Sequence, residues 1–315
     1  MNKIPSVNLK DFTSGDPERK QKFVNEIGKA YEEIGFVALK GHFLDDELVD
    51  DLYAEIKNFF ELPVETKRQY EIPGIGGQRG YVSFGKESAK GKKEGDLKEF
   101  WHFGQYVEDD PKRAEEYPQN VEVKEIPRFN EVGKKAYQTL EKTAKYVLRA
   151  LALHLGLEET YFDNYIHNGN SILRPIHYPP ITQEPDNAVR AAAHGDINLI
   201  TLLMGAQGRG LQVQNHNGDW IDAIAEPDEL MINVGDMLSR HTNNRLKSTI
   251  HRVVNPPREL WGTSRYSIPF FMHPISEMKL DVLDSCIDEN NPKQFEDITA
   301  GEFLDERLRE LGLKK

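Results

Sequence analysis

The chain has 315 residues, 38% apolar and 29% charged, values that suit one large globular domain or two closely packed ones. No run of 18 apolar residues is present, which excludes a membrane span, and the opening MNKIPSVNLKDF lacks a basic-then-apolar signal pattern, so a cytoplasmic location is expected. A net charge of −12 weighs against a nucleic-acid partner, and the single cysteine, Cys286, excludes a disulfide framework or a Cys-rich metal site.

Asp16 and Pro17 read as the cap and first turn of a helix over PERKQKFVNEIGKAYEEIG, whose apolar stripe is Phe23, Ile27, Ala30, Tyr31 and Ile34. FVALKG then reads as a buried strand, followed by a helix over about residues 45–60 and a short one after Pro63. Residues 72–105 are rich in Gly and Lys with interleaved aromatics, which predicts a long functional loop, and its basic patch Lys90 to Lys93 reads as solvated. A long helix is predicted over about residues 128–155. From Asn170 the texture changes to short strands: SILRPIHYP, NLITLLM, LQVQ, WIDAIA, ELMINVG, STIHRVV and RYSIPFFM, with NHNG as a turn. ITAGEFLDERLRELGL closes the chain as an amphipathic helix. Residues 1–165 are thus mainly helical and 166–315 strand-rich, a pattern that suits a sandwich or double-sheet barrel working as one unit.

Polar, metal-capable residues interrupt this texture. In AAAHGDINLITLLM, His194 and Asp196 are two apart, so an extended chain points both to one side. A third ligand has to come from another strand, and His251 in STIHRVV supplies it. Two imidazoles and one carboxylate leave three coordination positions open, which suits non-haem Fe(II) better than tetrahedral zinc. Arg265 and Ser267, again two apart on a strand, make a receptor for a carboxylate. Taken singly, each has an ordinary reading: a hydrogen-bonded interior histidine, an ion-paired arginine, a strand hydroxyl. Asp236 reads as a helix cap, and His177 points away from its neighbour Tyr178.

His194-Gly-Asp196, His251 and Arg265-Tyr-Ser267, in this order, resemble the Fe(II)/2-oxoglutarate-dependent dioxygenases of the isopenicillin N synthase-like family. IPSVNLKDF, AYEEIGFVALKGH, GYVSFGKE, LRPIHYPP and GDMLSRHTNNRLKSTIHRV extend the resemblance over nearly the whole chain. It implies an α+β fold, a double-stranded β-helix (jelly-roll) core with flanking N-terminal helices and a C-terminal helix. It further implies Fe(II) on His194, Asp196 and His251, 2-oxoglutarate on Arg265, Ser267 and Tyr178, and O₂ as co-substrate. The implied reaction hydroxylates a C–H bond of a small molecule while 2-oxoglutarate becomes succinate. Two departures stand out: Ile176 replaces the asparagine that relatives often carry before the tyrosine, and PRELWG lengthens the gap from His251 to Arg265, as an extended hairpin would. An iron oxidase that does not use 2-oxoglutarate and, from another class, a zinc-dependent hydrolase remain as alternatives. Substrate-lining candidates are Arg79, Tyr81, Phe84, Phe100, Trp101, Arg190 and Phe271; His102 fits either a lining or an aromatic packing role. An arginine facing the pocket favours an amino acid or carboxylate as substrate, whereas solvent is the simpler setting for Arg79. The oligomeric state has no signature in the sequence.

Overall fold

The computed structural model describes residues 3–86, 97–182, 189–204 and 210–310. Strand β1 (Ser6–Asn8) leads into a one-turn helix, α1 (Leu9–Phe12). Asp16 then accepts a hydrogen bond from the Glu18 N–H at 2.9 Å and starts α2 (Pro17–Glu33), where Pro17 takes a position with no N–H to satisfy. After β2 (Phe36–Lys40), Asp45 caps α3 (Asp46–Phe60) by accepting from the Leu48 N–H at 2.8 Å, and α4 (Val64–Arg68) follows. Strands β3 (Gly80–Val82) and β4 (Glu99–Gly104) precede α5 (Pro111–Glu116), the long α6 (Pro127–His154) and α7 (Asp163–Ile166). The strand-rich part runs β5 (Ile172–Leu173), β6 (Ile176–Tyr178), β7 (Ala191–His194), β8 (Ile200–Met204), β9 (Leu211–Gln214), β10 (Trp220–Asp222) and β11 (Leu230–Val234). It ends with α8 (Asp236–His241), β12 (His251–Val253), β13 (Arg265–Met272) and α9 (Ala300–Glu310).

Two sheets result. The larger has the order β1-β2-β11-β8-β13-β5-β4-β3, with β6 joined to both β13 and β4. The smaller is β10-β9-β12-β7. Every pairing is antiparallel except β1 with β2. Strand alternation gives β13 two different faces. Ile268, Phe270 and Met272 join the core under α6, where Phe270 meets Tyr137 edge to face at 5.1 Å. Arg265 and Ser267 turn to the other face, toward the smaller sheet. Glycines let α6 approach both a helix and a strand closely: a Cβ at Gly28 of α2 would fall 2.1 Å from the His154 ring of α6, and one at Gly133 of α6 would fall 2.3 Å from Phe103 of β4. Met231 and Leu203 of the larger sheet meet Leu211, Val213 and Val253 of the smaller in a second apolar cluster between the sheets.

Four expectations need correction. Residues 72–105 are not one loop, because β3 and β4 lie within them, and β4 is buried on both faces and so shows no polar alternation. PRELWG forms a 3₁₀ turn over Arg258–Leu260 rather than a hairpin. Asp236 is not a cap: Gly235 stands at that position, and the Asp236 carboxylate accepts from Ser248 Oγ at 2.5 Å. SILRPIHYP divides into β5 and β6 around Pro175, which has no N–H for a ladder. Lys90 to Lys93 lie outside the described residues. Among the described residues no helix is long and apolar enough to cross a membrane.

Candidate metal centre and anion pocket

His194 ends β7 and His251 begins β12, and the two are direct partners in the antiparallel ladder. Between this pair and the next, Val253 with Ala191, the register shifts by one residue. The extra residue in β7 is a bulge, and it lets both imidazoles face the space between the sheets. Their ring centroids are 4.5 Å apart. Asp196 follows on a turn held by the Asp236 N–H, which donates to the Asp196 carbonyl at 2.7 Å. Asp196 Oδ1 lies 3.9 Å from His194 Nε2 and 3.7 Å from His251 Nε2, and one donor atom from each of the three lies within 4.8 Å of the others.

The surroundings orient each donor. His194 Nδ1–H donates to the Ala192 carbonyl at 2.7 Å and His251 Nδ1–H to the Thr249 carbonyl at 3.1 Å, which leaves both Nε2 lone pairs facing inward. Asp196 Oδ2 accepts from Thr201 Oγ1 at 2.7 Å and from Asn233 Nδ2 at 2.8 Å. Burial alone raises the Asp196 pKa, but His251, His194, Asn233 and Thr201 outweigh it and hold the carboxyl below its ordinary range. Partial loss of solvation lowers the His194 pKa although 46% of the side chain is exposed, and the neighbouring His251 adds to the effect. The group is therefore a carboxylate with a neutral imidazole poised beside it, the protonation a divalent metal requires.

Arg265 stands directly across the ladder from Tyr178, and Ser267 from Ile176. Arg265 is 2% exposed, its Nε and Nη1 have no hydrogen-bond partner, and its guanidinium lies 5.1 Å from the centre of the Tyr178 ring. A buried guanidinium without an acceptor is costly unless an anion arrives. His177 faces away, as alternation requires: its Nδ1 contacts Glu99 at 2.7 Å and its ring stacks on Tyr266. Glu99 also takes the Lys67 ammonium at 2.8 Å and the Tyr81 hydroxyl.

The substrate-lining candidates separate. Phe100 clusters with Ile176 and Tyr178, and the Arg174 guanidinium lies over both Phe100 (4.5 Å) and Phe271 (5.3 Å). Tyr81 and Trp101 instead face the helices, where both rings pack on Phe59. Phe84 is exposed. Arg79 is not in solvent but fully buried, held against Gly104 with Tyr106, Tyr117 and Tyr137 about it. Arg190 is buried beside Tyr178. Sequence reasoning passed over Thr201, Asn233 and Arg174. Asn233 had a signal: a lone amide inside the apolar strand LMINV has to bond something buried. His102 accepts from Arg174 Nε at 2.6 Å, which fixes the guanidinium over the two aromatic rings.

Residues 4–125 match the model of the "non-haem dioxygenase in morphine synthesis N-terminal" family, and residues 168–274 match that of the 2OG-Fe(II) oxygenase superfamily. The 2-oxoglutarate-dependent dioxygenase frbA of Dothideomycetidae sp. is 31% identical, over 97% of this chain and 96% of that one. This chain belongs to the 2OG-Fe(II) oxygenases. A crystal structure of a 2OG-Fe(II) oxygenase family protein from Caulobacter crescentus shares 43% identity and superposes with a TM-score of 0.90, covering 99% of this chain and 100% of the other. A full-length Neurospora crassa protein, crystallised in complex with alpha-KG (2-oxoglutarate) and thymine, shares 29% identity with a TM-score of 0.85, covering 97% and 96%. As a 2OG-Fe(II) oxygenase the protein is an oxidoreductase with the family's jelly-roll core, and it uses Fe(II), 2-oxoglutarate and O₂. Its residues fit that equipment: two nitrogens and one oxygen converge with positions to spare, and an orphaned guanidinium stands nearby. This favours the dioxygenase over a zinc hydrolase or an iron oxidase without 2-oxoglutarate.

Proposed function

We propose that His194, Asp196 and His251 hold Fe(II), that Arg265, Ser267 and Tyr178 receive the far carboxylate of 2-oxoglutarate, and that the oxygenase hydroxylates a C–H bond of a small acid. When bound, Fe(II) with 2-oxoglutarate and O₂ supplies the oxidising power, yielding succinate, CO₂ and an oxidised substrate. The chain's own part is placement. Arg265 fixes the co-substrate's far end and so sets the direction of its other end toward the three ligands. Phe100 and Phe271 present flat walls, and Arg174, held by His102, lies over both.

Charge supports an acidic substrate. Besides Arg265, which the co-substrate takes, two further cations reach the space: Arg174 lies over both aromatic walls, and the charge of Lys98 is felt at His194. Thymine in the Neurospora protein supports a substrate of that small scale. The test is succinate release with Fe(II), 2-oxoglutarate and O₂ across a panel of amino acids and small carboxylates, each paired with its amide. Acids should stimulate release and amides should not, and His194→Ala should abolish it. Stimulation by amides equal to that by acids would refute the acidic class; full activity in His194→Ala would refute the ligand set.

A further inference from the structure

Arg190 is a substrate-lining candidate in the sequence, and the structure buries it. It is 3% exposed, and its Nε has no hydrogen-bond partner. Among the described residues its Nη2 reaches the Thr263 carbonyl alone, at 3.4 Å. Its guanidinium lies 5.7 Å from the centre of the Tyr178 ring, the ring that Arg265 also contacts. Among the described residues neither guanidinium has an ion pair with a carboxylate. Two buried like charges at one aromatic ring repel, and burial together with Arg265 lowers the Arg190 pKa to about 10.

The strand β13 serves as a ruler. Thr263 precedes Arg265, whereas Phe271 of the substrate wall lies eight residues beyond Thr263, roughly 26 Å along an extended strand. Arg190 therefore stands at the Arg265 end of the space. It is also only four residues from His194, at most about 14 Å of chain. That is a reach suited to a short dicarboxylic acid lying between the metal ligands and the two arginines.

We infer that Arg190 is a second cation for the far carboxylate of 2-oxoglutarate, so that the co-substrate is gripped by Arg190 and Arg265 at one tyrosine. This rests on the proposed role of Arg265. It assigns Arg190 to co-substrate selection and leaves recognition of the prime substrate to the Arg174 side.

The test is anaerobic calorimetry on Mn(II)-loaded protein, with 2-oxoglutarate and with pyruvate, which shares the 2-oxo acid head but lacks the far carboxylate. Arg190→Gln should weaken 2-oxoglutarate roughly 10- to 100-fold, leave pyruvate unchanged, and recover part of the loss in Arg190→Lys. Ligand-free Arg190→Gln should melt no lower than wild type, because an uncompensated buried charge is removed. Unchanged 2-oxoglutarate affinity in Arg190→Gln, with the expected loss in Arg265→Gln, would overturn this inference alone. Equal loss for 2-oxoglutarate and pyruvate would overturn it too, by placing the effect at the metal. No effect in Arg265→Gln would remove the reading beneath it and this inference with it.

Discussion

Asp196 gives one oxygen to the protein and keeps the other for the centre. Thr201 and Asn233 both donate to Oδ2, so the carboxylate cannot rotate without breaking two buried hydrogen bonds. Partners of this kind typically change metal affinity 10- to 100-fold when removed. Thr201→Val and Asn233→Ala should each weaken Mn(II) or Fe(II) binding by about that factor, measured by metal titration. Asp196→Ala should abolish stoichiometric binding altogether. His194, Asp196 and His251 were legible as candidate ligands because the chemistry demands those residue types, and the two histidines interrupt apolar strands with Asp196 on the turn that follows the first. The closeness of Arg190 to Tyr178 and Arg265 was not legible, because it depends on how distant strands pair. The sequence spacing of Arg190, Tyr178 and Arg265 carries no trace of that meeting.

Elements are tied together behind the anion pocket by Glu99 of β4, which bonds Lys67 of α4, Tyr81 of β3 and His177 of β6. Burial pushes the Glu99 carboxyl up, but the hydrogen bonds from His177, Lys67 and Tyr81 prevail and hold it below its ordinary value. A carboxyl depressed on folding stabilises the fold above its unfolded pKa, near 4.3, and that support is lost as pH falls through the lower folded value. Urea unfolding should thus show stability falling below about pH 4.5, with a smaller fall in Glu99→Gln. At pH 7 the same variant strands the Lys67 charge and should lose about 3–5 kcal/mol. Gly133→Ala sets two effects against each other. Helix propensity gains at most about 1 kcal/mol, whereas a Cβ 2.3 Å from Phe103 overpacks the core at about 1–3 kcal/mol, so net destabilisation is expected in the same assay. Helices and strand-rich regions were readable from capping and period. The facing of β4 was not, because all six of its residues are buried and its two polar side chains, Glu99 and His102, fall on opposite faces. That is why Tyr81 and Trp101 were placed in the substrate space and Arg174 was overlooked.

At the scale of the whole molecule, the candidate metal centre sits on a scaffold whose apolar clusters are complete without it. Chelation should leave the far-ultraviolet circular dichroism of the protein unchanged. Mn(II) and 2-oxoglutarate, each at 100 times its Kd, should add about 2.7 kcal/mol apiece, raising Tm by several degrees. Loss of structure on chelation would make the metal a folding element, contrary to this expectation. The larger sheet also crosses the boundary between the two regions that match family models. β2, from the first, lies in register with β11, and β11 with β8, so Phe36 is paired to Asn233, whose amide steadies Asp196. Phe36 also meets the His251 ring at 5.6 Å. A hybrid joining the first region of one relative to the second region of another would inherit a foreign β2 against its catalytic strands. Such exchanges would succeed only where that ladder and its aromatic contact travel together, which makes the seam between the halves a poor crossover point for recombination.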